Sequence, residues 1–306
     1  MEPVVSLNPD TTLGAYQIGV LISYVLFGVT TAQMYIYYTR FPEDSIQLKI
    51  LVAFVWGCEL AHTLCIGYGL YVWTISEYGH PELIFGHSNT SLAIAVVFSG
   101  LIGASVQGFF SFRIYSLSRK VYIPLFIWII SFWRLLSSIL VLTGTLQSST
   151  VEGAEGQWGW ALLASWSVSA ANDLVITVAL VTILIRQRTY AQKRTVVLVD
   201  KLIAWTIETG MLTSACGILM LICFVTMRNN YIFLAFFAVE ARMFSNSLLA
   251  SLNSREMLRA MNEVSAPISL PPLPTFEFSS NIASPTKPAL TISNAGQRDE
   301  VVYEDV

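Results

Sequence analysis

SLAIAVVFSGLIGASVQGFFSF, residues 91–112, runs for 22 positions without one charged side chain. Coiled into a helix rising about 1.5 Å per residue it would reach about 33 Å, enough to cross a hydrocarbon core of about 30 Å. Outward from it, apolar runs of span length recur at 14–38, 50–74, 121–146, 160–185, 202–227 and 231–252. The expected fold is therefore all-α, an integral membrane bundle of seven transmembrane helices over 14–253. The second and seventh runs each carry two titratable groups, Glu59 with His62 and Glu240 with Arg242, so a six-span chain is the main rival.

Composition supports lipid as the solvent. Of 306 residues 54% are hydrophobic and only 12% charged, about half the charged fraction of a soluble domain. A net charge of −3 and the lack of any Lys/Arg block exclude nucleic acid as a partner. Cys58, Cys65, Cys216 and Cys223 fall inside predicted spans with no CxxC and no histidine cluster beside them, so they read as small apolar fillers. Neither metal nor cofactor is expected.

The basic residues set an orientation. With the amino terminus outside, the cytoplasmic segments hold Arg40, Lys49, Arg113, Arg119, Lys120, Arg186, Arg188, Lys193, Arg194, Lys201, Arg255, Arg259, Lys287 and Arg298, and only Arg228 lies outside. Removing the seventh span would put Arg255 and Arg259 on the wrong side. Residues 1–13 carry Glu2 and Asp10 but no basic residue, so the first span is expected to act as an uncleaved insertion signal. Tyr35, Tyr37 and Tyr38 on one side and Tyr71, Trp73, Trp158 and Trp160 on the other fit interfacial belts. The setting would be the plasma membrane or another membrane of the secretory pathway.

Asn89-Thr90-Ser91 is an acceptor tripeptide for glycosylation in an external segment, at Asn89. The segments 76–90 and 147–159 are long enough to fold over the mouth of a bundle, or to serve as plain connectors. After the last span, Met257, Leu258 and Met261 lie at helical spacing, which suggests a short interfacial helix over 254–263. From 264 to 306 the tail is rich in proline, serine and threonine, a composition expected to stay disordered. Ser284-Pro285 and the terminal Tyr303-Glu304-Asp305-Val306 are short candidate signals there.

Ionisable groups inside the spans are retained only when satisfied, because an unpaired charge at the bilayer centre costs about 3 kcal/mol or more. They are Glu59, His62, Arg134, Asp173, Glu208, Glu240 and Arg242. Arg134 lies about 20 Å and Asp173 about 18 Å from the cytoplasmic ends of consecutive spans, so the two are expected to pair. Glu240 and Arg242 point about 200° apart and must face different neighbours. A reach from Arg242 to Glu208 is the second expected pair, with Glu59 and His62 within hydrogen-bonding range of one another. Two readings of this network stand side by side. One is a midplane cavity for a small polar or cationic ligand, or for protons; the other is a set of clamps fixing helix register. Gly100, Ala104 and Gly108 form a small-residue stripe expected to permit close helix packing.

Asp173, Asp200-Lys201-Leu202-Ile203, Thr206-Ile207-Glu208-Thr209-Gly210, Leu212-Thr213-Ser214 and the run from Asn246 to Arg255 (NSLLASLNSR) carry a likeness. Over about 170–255 the chain resembles a fungal family of seven-span membrane proteins, domain of unknown function 6534. The resemblance implies a basidiomycete source and no established activity. It also implies asparagine in many relatives at the place of Glu208, against a catalytic role there.

Three function classes follow. A receptor-like protein draws on the span number and on the basic connector 186–201, which with the tail would meet a cytoplasmic protein partner. Yet Phe112-Arg113-Ile114-Tyr115 lacks the acidic residue of the usual receptor triplet, and Asn246-Ser247-Leu248 lacks proline. A transporter or channel for a small polar solute or protons would use the midplane charges, although no inverted repeat stands out. An intramembrane enzyme is not expected, since HExxH and GxSxG motifs are lacking. A retinal protein is excluded by the want of a lysine in the last span.

Overall fold

The computed structural model describes residues 10–78, 90–147, 151–190, 193–227 and 230–264, and no strand occurs among them. Seven helices carry the chain: α1 (Ala15–Arg40), α2 (Ile46–Tyr71), α3 (Thr90–Ser118), α4 (Tyr122–Gln147), α5 (Val151–Tyr190), α6 (Lys193–Thr226) and α7 (Ile232–Val264). All seven are long and apolar enough to cross a membrane. The six-span alternative is thereby set aside. Asn89 and the tail from 265 onward lie outside the described residues. Residues 254–263, expected as a separate short helix, are the last turns of α7, which runs unbroken from Ile232 to Val264.

In water the bundle would be inside out. Its outer surface is apolar, with Leu21, Val25, Leu64, Phe132, Val178 and Met211 exposed. Its interior holds Glu59, His62, Gln107, Arg134, Asn172, Asp173, Glu240 and Arg242. Lipid tails can cover the first set, whereas the second must be satisfied by protein.

Neighbours in sequence pack as neighbours in space from α1 to α7, and α7 closes the ring against α1. Inside the ring α3 also meets α5 and α7, and α7 also meets α2. Helix α7 has the lowest mean hydropathy of the seven, 1.4, yet 61% of its apolar window is buried, against 28–44% for the others. A helix that lipid barely touches can carry charges that a lipid-facing one cannot. That is why the weakest span by hydropathy is the core of the bundle.

One end of the bundle is filled by aromatic rings, where α1, α5 and α7 begin and α2 and α6 end. Tyr16 meets Trp73 edge-on at 5.6 Å, and Trp73 stacks on Tyr231 at 5.2 Å. Trp166, Phe224, Phe233 and Phe237 extend the cluster. The opposite end is basic, carrying Arg40, Lys49, Arg113, Arg119, Lys120, Arg186 and Arg188. There Arg255 of α7 bonds Asp44 of the α1–α2 turn at 2.5 Å and lies over the Phe41 ring. Arg119 closes α3 in the left-handed region, φ 57°, its N–H bonded to the Tyr115 carbonyl at 2.8 Å.

The small-residue stripe is only partly a packing seam. A Cβ on Gly100 would press on Ser138 of α4, but one on Gly108 would meet nothing within 4 Å. Each step of four residues turns about 40° around a helix, so by Gly108 the row has rotated away from α4. A close approach between helix backbones lies elsewhere: a Cβ on Gly19 of α1 would run into the backbone of Ala235 of α7. Gly19→Leu is expected to force α1 from α7 and cost about 1–3 kcal/mol, seen as a lower melting temperature in detergent. Gly28→Leu, at a site with nothing within 4 Å, should melt like the parent. Equal melting of both variants would contradict this packing.

Candidate functional site

Helix α7 sends its two interior charges to opposite sides, as two residues' separation on a helix requires. Arg242 enters the wedge between α1 and α2, and Glu240 faces α4, α5 and α6. Two buried polar clusters result.

In the first, Arg242 is fully buried and pairs with the Glu59 carboxylate of α2 through Nη1. Its Nε donates to Ser23 Oγ at 2.8 Å, and Nη1 also donates to the Glu59 carbonyl at 3.1 Å. Its Nη2 donates to His62 Nδ1 at 3.1 Å and to Thr63 Oγ1 at 3.0 Å. A guanidinium has five N–H donors, and all five are engaged. The other oxygen of Glu59 accepts from Ser245 Oγ at 2.5 Å. Since the guanidinium can only donate, Nδ1 of His62 is the acceptor and Nε2 carries the proton, beside the Phe237 ring. Apart from His62 Nε2, which is buried with no protein hydrogen-bond partner, this cluster is saturated.

The second cluster is not. Arg134 of α4 stands 3.7 Å from Glu240 Oε1, donates through Nη1 to Ser169 Oγ of α5, and lies 4.9 Å from the centroid of the Phe244 ring. Gly103 of α3 makes the room, because a Cβ there would come within 2.8 Å of the guanidinium. One turn along α5, Asp173 accepts from Gln107 Nε2 of α3 at 2.7 Å. Gln107 Oε1 in turn accepts from Ser131 Oγ at 2.8 Å and Asn172 Nδ2 at 3.0 Å. Glu240 Oε2 and Asn172 Oδ1 are buried there with no protein hydrogen-bond partner. One arginine therefore serves a centre that holds two carboxylates.

Both expected arginine pairings are corrected. Arg134 and Asp173 do share a depth, but Arg134 pairs with Glu240 and leaves Asp173 to Gln107. Glu240, on the most enclosed helix, would otherwise be an unpaired buried carboxylate, which costs more than hydrogen-bonding Asp173 through an amide. Arg242 does not reach Glu208, because Arg242 points into α1 and α2 while Glu208 lines a cavity between α3, α6 and α7. Glu59 and His62 bond Arg242 instead of one another. Reasoning on charged groups alone missed Gln107, Ser131 and Asn172; the amide of Gln107 inside a charge-free span was the signal available.

Two cavities lead to the second cluster. The inner one, about 40 Å³, is lined by Gln107, Asp173, Thr177, Thr209, Thr213 and Phe244 among others, room for two or three waters. The outer one, about 420 Å³, lies toward the basic end between α3, α6 and α7, with Arg113, Trp205, Glu208, Ser251 and Ser254 on its walls. Phe110, Thr206, Thr209 and Ser247 line both. Arg113 donates to Ser251 Oγ at 3.0 Å. The residues they share stand between the outer cavity at the basic end and Asp173.

The assigned pairing can be read in a mutant cycle. Arg134→Met is expected to cost about 3–5 kcal/mol by stranding Glu240. Arg134→Met with Glu240→Gln should recover most of that loss in melting temperature, and Arg134→Met with Asp173→Asn should not. Recovery with Asp173→Asn alone would restore the pairing drawn from depth.

No curated protein and no solved structure matches the chain. Residues 169–257 match the family model described as a family of unknown function (DUF6534). The match begins at Ser169, which Arg134 holds, and takes in Asp173, Glu208, Glu240 and Arg242, but neither Arg134 nor Gln107. What the chain shares with that family is the segment from α5 to α7 that supplies both carboxylates of the unsaturated centre.

Proposed function

We propose that this chain is a membrane carrier that takes a small organic cation or a proton from the basic side of the bundle onto Asp173. The observation that carries the proposal is the imbalance at the second cluster. Two carboxylates share one guanidinium there, two buried oxygens of Glu240 and Asn172 have no protein partner, and a cavity opens onto Asp173. With both acids ionised the centre holds one surplus negative charge, and a cation or proton is what offsets it.

The basic end is assigned to the cytoplasm, because Lys and Arg concentrate on that side of membrane proteins. The amino terminus is then outside and the path to Asp173 opens inward. A fungal plasma or secretory-pathway membrane is the setting the likeness supports. A receptor for an external ligand fits less well, since Tyr16, Trp73, Trp166 and Tyr231 fill the outer end among the described residues. The clamp reading applies to Arg242 and Glu59, whose groups are fully engaged.

The test uses purified protein in liposomes loaded with a pH-reporting dye, under an imposed proton gradient with and without methylammonium outside. The expected result is a protein-dependent pH change that Asp173→Asn reduces at least tenfold. In inside-out vesicles an impermeant thiol reagent should label Ser254→Cys, and in right-side-out cells it should not. Stabilisation by methylammonium without any flux would replace the carrier with a receptor. Flux equal in parent and Asp173→Asn would reject Asp173 as the site.

A further inference from the structure

A third cavity lies on the outside of the bundle, away from the path to Asp173. It is a groove of about 830 Å³ between the end of α3, the start of α4 and the second half of α5. Its floor along α5 is Leu174, Val175, Val178 and Ala179, followed by Thr182, Ile183, Arg186 and Gln187. Leu117, Ser118, Lys120 and Ile123 complete the wall. Leu174 adjoins the interior Asp173, and Arg186 lies at the basic end of the bundle.

The lining is graded along its length. The stretch near the middle of the bundle is wholly apolar, and the side chains there face outward, Val178 being 63% exposed. Near the end it becomes polar, with Ser118, Thr182 and Gln187, and it finishes on two exposed cations, Lys120 and Arg186. No acidic side chain lines it. From Leu174 to Arg186 the helix rises about 18 Å, close to the half-thickness of about 15 Å of a hydrocarbon core. The groove is thus one leaflet long, apolar where acyl chains run and basic where headgroups sit.

The geometry points to a binding site for one anionic phospholipid of the leaflet on the basic side. An acyl chain lies along Leu174, Val175 and Val178, and the phosphate is held between Lys120 and Arg186. Two cations with neighbouring hydroxyl and amide groups suit an anionic headgroup, and a zwitterionic choline headgroup offsets its own phosphate charge. The left-handed turn at Arg119 ends α3 and starts the connection to α4 next to Lys120, which sets that cation at the groove's rim. This assignment is independent of the carrier proposal, since none of the groove's residues lines the path to Asp173.

The experiment is native mass spectrometry of the full chain released from bilayers of equal phosphatidylserine and phosphatidylcholine. Bound lipid on the parent protein should be enriched in phosphatidylserine by about fivefold for each basic side chain engaged. Lys120→Gln with Arg186→Gln should abolish the enrichment. Val178→Trp, which fills the apolar half at an exposed position, should lower retention of both lipids. Glycerol phosphate in solution should displace nothing, as it lacks the acyl chain. No enrichment on the parent, undiminished enrichment in the double variant, or displacement by glycerol phosphate would each overturn the assignment.

Discussion

Everything in this bundle depends on the need to keep the charges of α7 out of lipid. Glu240 and Arg242 sit two residues apart and so point to opposite sides of one helix. Neither can neutralise the other, and each must be met from a different direction. The solution is to enclose α7: α1 and α2 supply Ser23, Glu59 and His62 to the arginine, and α4 supplies Arg134 to the glutamate. The ring of helices closes around the two ion pairs. The least apolar span becomes the most buried because burial within protein is the only setting in which its side chains are tolerable.

The two arginines differ in how completely they are engaged. Arg242 has an acceptor for each of its N–H groups, and Glu59 has a donor on each oxygen. Such a cluster ties three helices together and leaves His62 Nε2 as its buried donor without a protein partner. Arg134 is shared more thinly, Asp173 is held by an amide, and buried acceptors near them lack protein partners. Incomplete satisfaction of a buried polar centre costs stability. The cavity ends there and not at Arg242.

The seven helices were legible in the sequence because span length is a one-dimensional property: 91–112 announces itself by the lack of charge alone. The opposed directions of Glu240 and Arg242 were legible for the same reason, being a matter of helical pitch. Partner identity was not. Depth placed Arg134 level with Asp173, but many helices share a depth, and only the packing shows that α7 lies in the middle with Glu240 turned toward α4. The pairing of Arg242 with Glu208 failed because Arg242 turns to α1 and α2, away from the cavity that Glu208 lines, an azimuth that depth alone does not encode. Gly108 misled likewise, whereas Gly19, unremarkable in sequence, marks a close approach of α1 to α7.

Two interior ion pairs join arginine to glutamate, Arg242 with Glu59 and Arg134 with Glu240. Solid-state NMR in bilayers, with 15N in the arginine guanidinium and 13C in the glutamate carboxyl alone, measures the dipolar coupling between them. Enclosure of α7 by paired charges predicts short arginine–glutamate distances that survive high salt, weaken in Glu59→Gln and vanish when Glu240→Gln is added. Coupling that is absent, or that salt abolishes, would contradict the account.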